Sequence, residues 1–195
     1  RLIAECHRRG LRVMMDAVFN HTSNEHPWFK AALADKNSPY RDYYIIREGR
    51  KDKDGELIPP TNWTSSFTGP AWERIEGTDE YYLHLFAPEQ PDLNWENPKV
   101  REEMANVLKF WLEKGVDGFR FDVFNMISKV YPLRDDKNPL RFQKGTPFYV
   151  DGPRMHEFLQ ELNDRALSFY DTYTVGESYV PDEEPAHRYI NEESG

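Results

Sequence analysis

The chain has 195 residues, 38% hydrophobic and 30% charged, a balance typical of a globular protein with one sizeable core. Its formal charge of −9 argues against nucleic acid or an anionic membrane as a partner, whereas a neutral carbohydrate is compatible with it. No apolar run reaches the roughly 18 residues of a transmembrane helix, and Cys6 is the single cysteine, so no internal disulfide can form.

The first elements predict one unit of a parallel α/β sheet. Apolar residues at helical spacing over 1–9 predict a helix that Gly10 ends. The near-continuous apolar run over 11–19 then predicts a strand buried on both faces. Because the chain opens inside a helix, we expect its natural N-terminus to lie upstream.

Residues 22–92 have a different character, rich in Pro, Asn, Ser, Thr and aromatic residues. No helical period persists there, short strands are predicted at 43–46 and 81–86, and the charged run 47–56 is expected to be a solvated turn. The segment is too long for a plain connection, so we interpret it as an inserted domain. The predicted division is 1–21 (barrel part), 22–92 (inserted small domain) and 93–195 (barrel part).

The alternation of helix and strand returns at Asn97, an N-cap residue followed by Pro98, and Gly115 ends this helix. A second buried strand is predicted over 116–123, a helix opening at Pro153, and a third strand over 173–175. The expected core faces of the two helices are Val100, Met104, Val107, Leu108, Trp111 and Leu112, then Met155, Phe158, Leu159, Leu162 and Ala166.

Two carboxylates stand at strand ends, Asp122 on the second strand and Glu177 on the third. Neighbouring strands lie about 4.8 Å apart, which suits the roughly 5–5.5 Å between the carboxyl groups of a retaining glycosidase. Arg120, two residues before Asp122, shares its face and would favour its ionised form, which makes Glu177 the expected acid. A structural Arg120–Asp122 ion pair is the alternative.

The first strand brings Asp16, Asn20 and His21 to the same rim. We expect His21 to bind sugar hydroxyls, with Asp16 and Asn20 bracing it. A purely structural hydrogen-bond network is the alternative, and no further ligand stands at a spacing that would indicate a metal site.

These segments resemble glycoside hydrolase family 13, the α-amylase family. The resemblance covers nearly the whole chain and includes markers of the oligo-1,6-glucosidase branch. It is carried by 16–21 (DAVFNH), 118–122 (GFRFD), 176–177 (GE), 90–94 (QPDLN), 62–63 (NW), 66–67 (SF), 71–72 (AW) and 81–86 (YYLHLF).

The resemblance implies that Asp122 is the nucleophile and Glu177 the acid/base of an enzyme that needs no cofactor. Arg120 and His21 would hold the nonreducing-end glucose of an oligosaccharide, and the same subsite would be walled by Phe67, Phe86 and Gln90. Val123 resembles the residue of branch members that cut α-1,6 links, and it is also compatible with trehalose-6-phosphate hydrolases. In a trehalose-6-phosphate hydrolase, a basic loop would bind the substrate phosphate, and the alternative is that this loop is only solvated. Its residues are Arg134, Lys137, Arg141 and Lys144.

The implied fold is a partial (β/α)8 barrel, about strands 3 to 5, with an irregular α+β domain inserted after strand 3. The family's third carboxylate has no counterpart in this chain, and a structural calcium elsewhere in the full protein stays open. We expect an α-glucosidase located in the cytoplasm, with the isolated chain poorly stable and inactive. A glucosyl-transferring or isomerising relative and a non-catalytic binding subunit are the alternatives.

Overall fold

The computed structural model describes residues 1–179 and 187–189. The α-helices with described bounds are α1 (Leu2–Arg8), α2 (Pro27–Ala34), α3 (Pro98–Glu113) and α4 (Met155–Arg165). The strands are β1 (Met14–Val18), β2 (Ile46–Glu48), β3 (Arg50–Lys51), β4 (Leu57–Ile58), β5 (Trp72–Arg74), β6 (Glu80–Leu83), β7 (Gly118–Asp122) and β8 (Tyr173–Gly176).

A three-stranded parallel sheet in the order β1-β7-β8 positions the predicted site. In its register Asp16 pairs with Arg120 and Val18 with Asp122. Helix α3 precedes β7 and α4 precedes β8, so the described fold is α/β. The pairing confirms that the strands leading to Asp122 and Glu177 are parallel neighbours.

The prediction that the first strand, β1, is buried on both faces is wrong, and β8 is exposed as well. Met14 is 45% and Val18 40% exposed, and all four residues of β8 are exposed. Each outer strand has one neighbour in the described sheet, so its second edge and part of its faces meet solvent. The apolar composition of β1 and β8 therefore marks surface that this chain leaves uncovered.

Helix α3 begins as predicted. The Asn97 side chain accepts a hydrogen bond from the Lys99 N–H, and Pro98 occupies the first helical position. Val107 was expected in the core but is 38% exposed, which is a correction to the predicted face. The buried residues of the helix are Val100, Met104, Ala105, Leu108 and Leu112.

The segment 22–92 contains a helix that its sequence did not predict. Helix α2 opens with Pro27, and the His26 ring accepts a hydrogen bond from the Trp28 N–H. The strand predicted over 43–46 is wrong, because a 3-10 turn occupies Arg41–Tyr43 and β2 begins only at Ile46. The antiparallel sheet has the order β2-β6-β5. The charged run 47–56 contains β3 and the turn that leads from it to β4 in a short hairpin.

The largest hydrophobic cluster joins this segment to the parallel sheet. Phe29 of α2 contacts Tyr82 of β6 at a ring distance of 5.0 Å, and both belong to the cluster that contains Phe19 and Phe121. A second cluster surrounds Trp63. The end of β1 is thereby fixed against the long segment that follows it.

Candidate active site

Arg120 binds three carboxylates at the ends of the parallel strands. Its Nη1 lies 2.6 Å from Asp16 Oδ1 and 2.8 Å from Asp122 Oδ1. Its Nη2 contacts Glu177 Oε2. Asp16 and Arg120 are opposite each other in the β1–β7 register, and β8 brings Glu177 to the other side. The guanidinium therefore gathers side chains from all three strands.

The sequence predicted that Arg120 lies beside Asp122, and the structure shows that it also contacts Glu177. A guanidinium shared by both carboxylates does not by itself distinguish an ionised nucleophile from a protonated acid. The hydrogen bond to Asp16, followed by the charges of Glu177 and Asp122, raises the pKa of Arg120, so it stays cationic. Asp16 was expected to brace His21, and its carboxylate instead binds Arg120.

His21 lies beside Gln90 and Phe86, two of the residues predicted to wall the sugar subsite. Its Nε2 is 3.0 Å from the Gln90 amide nitrogen, and its ring is 5.4 Å from that of Phe86. The Phe86 ring is 5.8 Å from Phe67, which is 64% exposed. Burial lowers the pKa of His21 from 6.5, which favours the neutral ring. The arrangement is a half-open aromatic wall with a neutral imidazole on it.

A buried ion pair supports this wall, and no sequence pattern indicated that its two members would meet. Lys129 and Asp92 are both almost fully buried, and Lys129 Nζ lies 2.7 Å from Asp92 Oδ2. The ammonium also donates to Asn20 Oδ1 at 3.0 Å and to the Met126 carbonyl at 2.6 Å. The Asn20 amide nitrogen is in turn 3.4 Å from His21 Nδ1. A lone lysine and a lone aspartate far apart in sequence carry no periodic pattern, so only the structure pairs them.

Val123 begins a sharp change of direction directly after Asp122. Its φ of 37° lies in the left-handed region, which is costly for a β-branched residue, and a 3-10 turn over Phe124–Met126 follows. Its side chain packs, as does Phe86, against the hydrophobic cluster around Trp63. Val123 is therefore held in place near the predicted nucleophile.

Three side chains of the basic loop are engaged within the protein. Arg141 Nε lies 2.7 Å from Asp136 Oδ2, and the Arg134 guanidinium lies 4.9 Å from the centre of the Phe148 ring. Lys144 Nζ contacts the Asn138 carbonyl. These contacts favour a structural role for the loop over phosphate binding.

Within residues 1–179 and 187–189, no three His, Cys, Asp or Glu side chains come together in a way that could hold a metal ion. In the same residues, no helix combines the length and apolarity required to cross a membrane.

The curated proteins to which this chain is similar include an oligo-1,6-glucosidase and a trehalose-6-phosphate hydrolase. The chain is 52% identical to the oligo-1,6-glucosidase of Parageobacillus thermoglucosidasius over 97% of this chain and 34% of that protein. It is 48% identical to the trehalose-6-phosphate hydrolase of Bacillus subtilis over 98% of this chain and 33% of that protein. The chain thus spans about a third of the length of these curated relatives.

Solved structures give the same result. The Bacillus licheniformis trehalose-6-phosphate hydrolase superposes with a TM-score of 0.90 at 48% identity, over 99% of this chain and 33% of that one. A mutant trehalulose synthase also gives 0.90, at 42% identity over 99% of this chain and 34% of that one. The family model described as "Alpha amylase, catalytic domain" matches residues 1–195. The chain therefore belongs to the α-amylase family and corresponds to part of its catalytic domain.

Proposed function

We propose that this chain carries the nucleophile and the acid/base of a retaining α-glucosidase that hydrolyses terminal α-1,6 bonds of short oligosaccharides. The observation that carries the proposal is the shared contact of Arg120 with Asp122 and Glu177 at the ends of adjacent parallel strands. Close carboxylates at adjacent strand ends suit a covalent mechanism better than the wider separation of inverting enzymes.

In this mechanism Asp122 attacks the anomeric carbon while the carboxyl group of Glu177 protonates the departing glycosidic oxygen. The bond between that carbon and the oxygen breaks as the Asp122–glucosyl ester forms. Glu177, now ionised, removes a proton from water, and the water oxygen attacks the same carbon to release Asp122. Arg120 holds both carboxylates at the reacting centre, and its charge stabilises Asp122 as the leaving carboxylate.

The substrate side of the site is proposed to be the wall around His21. A neutral imidazole and the Gln90 amide offer hydrogen-bond partners to sugar hydroxyls, while Phe86 and Phe67 offer apolar ring surface to the sugar's C–H groups. Asp16 and Asn20 support Arg120 and His21 respectively. No cofactor enters the reaction.

Val123 supports the α-1,6 assignment through its resemblance to that branch and its position next to Asp122. A trehalose-6-phosphate hydrolase is the second candidate, because relatives with that name are as much as 48% identical. Transfer of the glucosyl unit to a sugar instead of water uses the same two carboxylates, and trehalulose and isomaltulose synthases are among the similar structures.

We further propose that the parallel sheet is about strands 3 to 5 of a (β/α)8 barrel. The segments 1–21 and 93–195 belong to the barrel, and 22–92 is the inserted domain. The third carboxylate of the family would come from outside this chain.

The test uses the whole protein that carries this chain and compares glucose release from isomaltose, maltose and trehalose 6-phosphate, with Asp122→Asn as the blank. Cleavage of isomaltose that disappears in Asp122→Asn is the expected result. Preference for trehalose 6-phosphate would favour the second candidate. A folded protein that binds these sugars without releasing or transferring glucose would contradict both and indicate a binding subunit.

A further inference from the structure

The side chain of Asn125 joins the loop that follows Asp122 to the loop that follows Glu177. Asn125 is fully buried in the described structure. Its Oδ1 accepts a hydrogen bond from the Tyr179 N–H at 3.0 Å, and its Nδ2 donates to the Tyr179 carbonyl at 2.9 Å. The same Nδ2 donates to Asp151 Oδ1 at 3.1 Å. Since a backbone N–H needs an oxygen partner, these bonds fix the orientation of the amide.

This contact links two segments that lie close in sequence to the two predicted catalytic carboxylates. Asn125 follows Asp122 by three residues, and Tyr179 follows Glu177 by two. On the other side of Glu177, the Phe124 ring packs so closely on Gly176 that an added Cβ would lie 2.4 Å from its Cε1. Residues directly after the predicted nucleophile therefore hold the chain on both sides of the predicted acid.

Little else in the described residues fixes the backbone of this segment. Strand β8 ends at Gly176, all of its residues are exposed, and the Glu177 N–H donates to the Phe121 carbonyl at 2.8 Å. Beyond that bond, 177–179 is no longer part of the sheet. Without the Asn125 amide, the peptide after Glu177 would lose two hydrogen bonds that keep it against the turn over Phe124–Met126.

We propose that Asn125 is a positioning residue that sets the separation between the carboxyl groups of Asp122 and Glu177. The inference rests on the proposed function, in which this separation determines whether the glycosidic oxygen can be protonated while the ester forms. A displacement of about 1 Å in such a site can cost on the order of 100-fold in rate. Asn125 itself touches no reacting atom in this scheme.

A misplaced acid has a specific kinetic signature. A sugar leaving group is strongly basic and needs its proton from Glu177, whereas fluoride departs from α-glucosyl fluoride without that protonation. The ratio kcat/KM reports the steps up to ester formation, so it isolates the acid role of Glu177 from its later role as a base. Loss of positioning should therefore lower kcat/KM for isomaltose far more than for α-glucosyl fluoride.

The experiment measures both substrates with Asn125→Ala in the whole protein. The expected result is a fall of about 100-fold in kcat/KM for isomaltose and a much smaller fall for glucosyl fluoride. The matched control is Asn94→Ala, because Asn94 is also buried and its amide donates to the Asp42 carbonyl at 3.0 Å, away from this turn. Its effect should be the same for both substrates.

Equal losses for the two substrates with Asn125→Ala would overturn the inference. If that variant does not fold, Asn125→Ser takes its place, because it keeps a polar side chain but lacks the amide that binds the Tyr179 N–H and carbonyl, and the same inequality is expected. In a Glu177→Ala background, Asn125→Ala should cost nothing further with glucosyl fluoride, and an added loss would also overturn the inference. Failure of the unaltered protein to hydrolyse either substrate would instead contradict the proposed function.

Discussion

At the scale of single residues, two cationic side chains organise the site, one at the open ends of the strands and one buried. Arg120 lies at the open ends of the strands among Asp16, Asp122 and Glu177. Lys129 is buried, and its charge is neutralised by Asp92. The short spacing from Arg120 to Asp122 made the first cation predictable from sequence. The second was not, because the pairing of Lys129 with Asp92 depends on how two loops fold together.

Loss of the buried ammonium should destabilise the protein. Lys129→Met keeps an apolar stem but leaves the Asp92 carboxylate buried without its partner, which typically costs about 3–5 kcal/mol. The double variant Lys129→Met/Asp92→Asn removes both charges and still offers an oxygen to the Leu85 N–H that Asp92 now binds. Denaturant unfolding should show a large loss in the single variant and recovery in the double. Equal losses in both would contradict the role assigned to this pair.

His21 should make stability depend on pH. Burial lowers its pKa from 6.5 in the folded state, so the unfolded chain binds more protons than the folded one just below that pH. The contribution of the neutral ring to stability is thus present above pH 6.5 and decreases as the pH falls through it. Between pH 7.5 and 5.5 the unfolding temperature should fall further in the unaltered protein than in His21→Gln. Identical falls would contradict this linkage.

At the scale of elements, local signals predicted well where the sequence also supplied caps. Helix α3 has an N-cap, a first-turn proline and a long apolar period, and it forms where expected. Helix α2 has only eight residues, and its His26 cap is an uncommon choice, so no persistent period revealed it. The predicted strand over 43–46 failed because Tyr43 fills the core from a 3-10 turn and Tyr44 fills it from the residue that follows that turn.

The N-cap residue of α3 allows the contribution of a local sequence signal to stability to be measured. Asn97→Ala should cost about 1 kcal/mol, because the Lys99 N–H loses its side-chain acceptor. Asn97→Ser keeps an acceptor at the cap but loses the bond from the Asn97 amide to the Asp42 carbonyl. Unfolding measurements on both variants separate the two contributions. A serine variant as destabilised as the alanine variant would show that the cap contributes nothing.

At the scale of the whole molecule, the larger hydrophobic cluster joins the parallel sheet to the segment 22–92, while the outer edges of the sheet carry exposed apolar residues. The parallel order of strands was predictable, because helix, glycine and strand alternate in the sequence. The exposure of β1 and β8 was not predictable, because an apolar strand has the same sequence pattern whether or not a second strand lies beside it.

The exposed edges predict how the 195-residue chain behaves by itself. Tyr173 is 66% exposed on β8, and the outer edge of β1 is likewise unpaired within the described sheet. Such surface favours association and loose packing. The isolated chain should therefore bind a hydrophobic dye, unfold with low cooperativity and release no glucose from isomaltose. Measurable turnover would contradict this prediction.

The most direct test of the central claim is to trap the covalent intermediate in the whole protein. 5-Fluoro-α-glucosyl fluoride forms the ester readily, and its ring fluorine slows the hydrolysis that follows. Peptide mass spectrometry of the trapped protein should locate the sugar on Asp122, within the peptide that contains residues 118–122. A sugar on Glu177 or on any other residue, or turnover by an inverting route without a trapped ester, would contradict the assignment of Asp122 as the nucleophile.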